Sequence, residues 1–143
     1  MARGKRSRLK DQKASGGKKL KEPSPPASVS TQQLRPIFCL EHLRGDYCLT
    51  KCEVKEKARF AETLHRLSQR TWADIQATPR HKKGCETISR DALRVPLPRS
   101  VTEDVTFLAI RFDGKKAMVG YRNQRVFHVL WLDRNFTLYN HGS

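Results

Sequence analysis

The last third of the chain limits its fold more than any other part. Three strand-length segments follow one another there with breaks of only two or three residues. Residues 105–112 are rich in β-branched and aromatic side chains, and Asp113-Gly114 is the strongest hairpin turn in the sequence. Residues 116–122 make a return strand, Asn123-Gln124 turn again, and 125–132 form a third strand, with a fourth expected at 136–139. Segments joined this tightly pair as antiparallel neighbours, so the expectation is a meander.

The strongest helical signal precedes it. Over residues 51–69, Val54, Ala58, Ala61, Leu64 and Leu67 recur at spacings of three and four, Phe60 widens the stripe, and Lys51, Lys55, Arg59, Arg66 and Arg70 fall on the remaining surface. Thr71-Trp72-Ala73-Asp74 reads as a capping box that opens a short second helix, with Trp72 and Ile75 facing inward and Thr78-Pro79 as its stop. Before these helices, Leu34, Ile37, Phe38, Leu40 and Leu43 form an apolar segment started by Pro36 and ended by the Gly45-Asp46 turn. After them, one strand near 86–89 and an irregular stretch to about Ser100 lead into the meander. The pattern predicts an α+β domain over 34–143: a helical hairpin packed on one face of a twisted antiparallel β-sheet. Its core is expected to hold Leu64, Leu67, Trp72, Phe107, Ala109, Val119, Val129 and Trp131.

Residues 1–33 differ in kind. They are Lys, Arg, Ser, Gly and Pro with few aliphatic side chains, which is too little apolar surface to offset the entropy of ordering, so a disordered basic arm is expected. Residues 1–36 carry ten Lys/Arg against two Asp/Glu, and 37–143 carry nineteen against twelve, so the domain is basic without its arm. A net charge of +15 favours a polyanionic partner, most simply nucleic acid. Lys18 and Lys19, with their neighbours, would contact phosphates without reading sequence; a merely solubilising tail is the alternative. No run approaches the roughly 18 apolar residues of a membrane span, and the first thirty residues hold no apolar signal-peptide segment. A cytoplasmic protein with no membrane partner and four reduced thiols is expected.

The sequence contains no phosphate-cradling glycine loop, nucleophile elbow, zinc-protease histidine pair or calcium loop, which argues against nucleotide hydrolysis. What remains is a set of cations and titratable groups. Tyr121, Arg122, Arg125, His128, Arg134, Tyr139 and His141 lie near the last strands, and Arg80, His81, Lys82 and Lys83 lie on the loop after the helices. Metal-free RNA cleavage needs a base for the 2′-hydroxyl, cations for the phosphorane and an acid for the 5′-oxygen, and these residue types supply all three without a cofactor. Each has a plainer reading: His128 as a hydrogen-bonded structural histidine, Tyr121 and Tyr139 as half-buried strand residues, Arg122 as a solvated edge charge.

The order of helical hairpin, Pro79-Arg80-His81-Lys82-Lys83 loop, strand, Asp113-Gly114 turn and Val119-Gly120-Tyr121-Arg122-Asn123-Gln124-Arg125 resembles the RelE/YoeB-like toxins of toxin–antitoxin systems, over about residues 51–128. The resemblance implies a messenger-RNA endonuclease, either ribosome-dependent or free, that is metal-independent and has an acidic antitoxin as inhibitor. It also implies phosphate-stabilising roles for Arg122 and Arg125 and substrate positioning by Lys82 and Lys83. Where many members carry a near-terminal tyrosine, this chain has Phe127-His128 and then a further strand pair, so His128 or Tyr139 would supply the missing group. The rival expectation is a non-enzymatic basic module that binds RNA or the ribosome.

One more spacing stands out. Cys39, His42, Cys48 and Cys52 are four potential ligands of types that suit tetrahedral zinc, although the set lacks a Cys-x2-Cys knuckle and buried thiols are the alternative.

Overall fold

The computed structural model describes residues 29–79, 82 and 84–141, and the unit it describes begins at Thr31, slightly ahead of the expected start at Leu34. The expected arm up to residue 28, with Lys18 and Lys19, lies outside the described residues, as do Arg80, His81 and Lys83. Five strands and two α-helices make up the unit. In chain order they are β1 (Ile37–Cys39), α1 (Val54–Leu67), α2 (Trp72–Ala77), β2 (Cys85–Ile88), β3 (Phe107–Asp113), β4 (Lys116–Asn123) and β5 (Val126–Asp133). They are joined by short 3-10 turns and irregular chain.

The meander is present: β3, β4 and β5 pair antiparallel, and β2 pairs antiparallel with β3. Gly114, rather than Asp113, takes the left-handed conformation in the first turn, at φ 58°, where the absence of a side chain removes the steric cost. The sheet as a whole is mixed, which corrects the antiparallel expectation. β1 lies parallel to β5, with Ile37, Phe38 and Cys39 beside Val126, Phe127 and His128, and the strand order is β1-β5-β4-β3-β2. The parallel pair is secured by the amide of Ile37, which donates to the Arg125 carbonyl at 3.0 Å. The expected fourth strand at 136–139 does not form. Asp133, fully buried, accepts the amides of Thr137 and Leu138, and Phe136 takes φ 59°; the chain therefore bends back over the sheet instead of pairing.

Two helices cover one face, each positioned by what it packs against rather than by pairing along the other: α1 crosses β3, and α2 sits on the Thr31–Gln33 turn and β2. The caps follow the sequence. The Thr71 hydroxyl accepts the Asp74 amide at 3.2 Å to start α2, and the Glu56 carboxylate accepts the Glu53 amide at 2.7 Å in a capping box that starts α1.

The buried face of α1 is not the expected stripe. Glu56, Phe60, Thr63 and Leu67 point inward, while Val54 is 82% exposed and Ala58 and Ala61 face solvent. Two polar side chains decide this orientation. Glu56 Oε2 meets Lys116 Nζ at 2.7 Å and its Oε1 meets Arg134 Nε at 2.8 Å, and the Thr63 hydroxyl donates to the Phe112 carbonyl at 3.4 Å. Partners on β4 and just past β5 make burial of a carboxylate tolerable, so it displaces valine and alanine from the interior.

The core is correspondingly divided by the sheet. Under the helices lie Phe60, Leu67, Trp72, Ile75, Leu108, Ile110, Phe112, Met118, Phe127, Val129 and Leu132. On the other face Phe107, Ala109, Val119, Leu130 and Trp131 are covered by Leu138 and Tyr139 and by the irregular 93–105 stretch. Seven of the eight expected core residues are buried, with Leu64 packed at the margin, but they belong to two layers rather than one.

Candidate nucleic-acid interface and metal-ligating cluster

Side-chain alternation along β4 and β5 sorts the sequence-selected residues. Arg122 stands beside Phe127 and Tyr121 beside His128, so the first pair faces the helices and the second faces away. Arg122 is held by structure. Its guanidinium lies 4.5 Å from the Trp72 ring centroid, donates to the Gln124 carbonyl at 2.5 Å and to the Thr31 hydroxyl at 3.2 Å, and bonds the Gln32 side chain. Burial pulls its pKa below the ordinary guanidinium value. It ties the Thr31–Gln33 turn to α2. Arg125, in the β4–β5 turn, donates to the Arg35 carbonyl at 3.0 Å, and its own carbonyl receives both Ile37 N–H and the Trp72 indole N–H at 2.9 Å. Both arginines therefore anchor the start of the unit, and the structure does not bring them together with His128.

His128 stacks on Tyr121 at 4.7 Å and lies 5.8 Å from the His42 ring. Its Nδ1 is buried without a hydrogen-bond partner. Burial first, and then His42, depress its pKa, with Glu41 opposing, so the neutral imidazole is favoured. Tyr139 is elsewhere on the same face: its ring stacks on His141 at 4.0 Å and its hydroxyl lies 3.5 Å from Glu86. Lys82 is exposed on the loop before β2, with its amide bonded to the Pro79 carbonyl.

Of the four cysteine and histidine residues selected by spacing, only two converge. Cys39, His42 and His128 place their ligand atoms within 4.8 Å of one another. Cys48 instead donates to the Leu43 carbonyl, with its pKa lowered by hydrogen bonds from Thr50, and Cys52 is buried in the core with its pKa raised by burial. The expected set omitted His128 because the parallel β1–β5 pairing that brings it to Cys39 leaves no local trace in the sequence.

A second constellation contains only His141 of the residues selected from the sequence. The segment after β5 borders a hollow of about 300 Å³ lined by Arg94, Lys115, Phe136, Asn140 and His141. His141 Nε2 meets the buried Asp133 carboxylate at 2.5 Å, and its ring packs edge-on against Phe136. Phe136 itself is 44% exposed, and its φ of 59° is a conformation that bulky side chains seldom adopt. A neighbouring hollow of similar size, lined by Asp46, Tyr47, Lys51, Arg134 and Thr137 among others, shares the same segment. Arg94 lies in the irregular stretch, and Phe136, expected in a strand, sits in the bend instead.

Among the described residues no helix is long and apolar enough to cross a membrane. Compared with family models, with curated proteins and with solved structures, the chain shows no significant match to any.

Proposed function

We propose that the chain is a non-enzymatic RNA-binding protein that engages single-stranded RNA at the hollow beside Phe136. The observation that supports this reading is the pairing, in one concavity, of an exposed aromatic ring with two cations, and with no carboxylate among the described lining residues: Phe136 with Arg94 and Lys115. Recognition of single strands needs those two elements, a ring on which an unpaired base stacks and cations that follow the phosphates. The aromatic ring projects from a strained backbone held by Asp133, which accepts the Thr137 and Leu138 amides just after the bend. A basic chain adds long-range attraction.

Fluorescence anisotropy with a labelled RNA oligonucleotide in low salt and EDTA tests the reading. Phe136→Ala should weaken binding by about 1–3 kcal/mol, and Lys115→Ala should weaken it further. Arg122→Ala should lower stability and leave affinity near that of the native chain. Tight binding that ignores Phe136 and Lys115, or no binding at low salt, would remove the proposal.

A toxin-like endoribonuclease is the second reading, and one observation favours it. His141, braced by a buried carboxylate, faces the same hollow as two cations, so it could act as general acid or base where a phosphate sits. In this version His141 takes the role first assigned to His128, and Arg94 and Lys115 take those of Arg122 and Arg125. Defined RNA fragments formed in EDTA and abolished by His141→Ala would establish cleavage, and an acidic antitoxin would then be the expected partner.

A further inference from the structure

We propose that Cys39, His42 and His128 form a binding site for a thiophilic divalent transition metal, zinc foremost. The parallel register sets Cys39 on β1 directly beside His128 on β5, and the tight turn in which the Leu43 amide bonds the Leu40 carbonyl returns His42 to the same spot. One thiol and two imidazoles therefore converge from opposite ends of the folded unit, with ligand atoms within 4.8 Å of one another. Tetrahedral zinc, at about 2.3 Å from sulfur and about 2.0–2.1 Å from nitrogen, needs those atoms about 3.3–3.6 Å apart. Side-chain rotations of the Cys39 thiol and of His42, in its turn, close that gap. All three residues are half-buried, which leaves a path for the ion.

The surroundings suit a metal better than a plain hydrogen-bonded pair. Among the described residues no group bonds His128 Nδ1, so the tautomer is not fixed through that atom. Glu41 Oε1 lies 3.6 Å from both Cys39 Sγ and His42 Nε2, but it is not one of the three mutually close ligand atoms, so a water is the expected fourth ligand. A thiolate with two imidazoles prefers zinc, cobalt or copper to magnesium or calcium. On binding, Cys39 releases its proton to solvent, the two neutral imidazoles donate lone pairs, and the hydrated ion loses water; no other reactant is needed. The ion would staple a three-residue edge strand to β5. The site shares no residue with the Phe136 hollow, so it stands or falls independently of RNA binding.

Titration of the purified full chain with Co(II) under reducing conditions is the test. One equivalent should produce a sulfur-to-cobalt charge-transfer band that Zn(II) displaces, and Zn(II) should raise the melting temperature. Cys39→Ser should abolish the band and His42→Ala should weaken binding about tenfold or more, while Cys48→Ser and Cys52→Ser keep it. Circular dichroism reports whether each variant is folded, and His42, in a turn, is the substitution least able to disturb the fold. A missing band with the native chain, or one that survives Cys39→Ser in a folded protein, overturns the site. Loss of the band in folded Cys48→Ser or Cys52→Ser overturns it too, because the ligands would then be the sequence-spaced set.

Discussion

Glu56 sits where a carboxylate would not go unaided. It is 3% exposed, and burial alone would raise its pKa, yet hydrogen bonds from Lys116, the Glu53 amide and Arg134 hold it down to about 2 from an ordinary 4.5. Lys116 and Arg134 answer in kind, each with a pKa raised chiefly by Glu56. A carboxyl depressed on folding stabilises the native state above its unfolded pKa and loses that contribution as acid protonates it. The difference is worth about 3 kcal/mol, fully present above about pH 5 and lost as the pH falls toward 2. Urea unfolding across pH 2.5–7 should show this decline in the native chain. Glu56→Gln should be less stable at pH 7 by about 3 kcal/mol, with two cations left without their carboxylate, and should lack that part of the pH dependence. Parallel curves for the two proteins would contradict the assignment. The same residue explains the misread helix: hydropathy cannot register that a glutamate has two cationic partners supplied by distant strands.

Among the elements, β4 and β5 are the most tightly committed to each other. A methyl group at Gly120 would come 1.9 Å from the His128 carbonyl oxygen, next to the register irregularity at Val119/Gly120. The partner is backbone and cannot rotate away, so Gly120→Ala should cost about 3 kcal/mol or more, read as a fall in the denaturation midpoint. A variant within about 0.5 kcal/mol of the native chain would mean the strands part easily. Strands β3, β4 and β5 were legible in the sequence to within two residues, as were the start of α2 and the turn at Gly114, because each is written in neighbouring residues. β1 was legible only as an apolar segment: three residues after a proline carry little strand signal, and their partner lies at the far end of the chain. The candidate site fared likewise. His141 stood among the residues selected from the sequence, whereas Lys115 and Arg94 were not, and their placement, like the cluster of Cys39 with His128, depends on contacts between distant segments.

At the scale of the whole molecule, charge governs how the protein would meet a polymer. If the Phe136 hollow carries the contacts, log affinity for single-stranded RNA should fall linearly with log salt, by about 0.7 per phosphate neutralised. Replacing Arg94 and Lys115 together by alanine should reduce that slope by about 1.4, while Lys55→Ala on the exposed side of α1 should leave it unchanged. Equal slopes for all three proteins would point to diffuse attraction by the whole basic surface.

The placement of β1 beside β5 also governs how the molecule is made. β1 leaves the ribosome well before its hydrogen-bonding neighbour, since Ile37 pairs with Val126, 89 residues further on. Helices and hairpins can assemble as they emerge, but the sheet edge waits for the entire domain, and closing so long a loop is entropically slow. Nascent chains held short of β5 should therefore expose Phe38 and Trp72, offering chaperones an apolar surface that the finished protein hides.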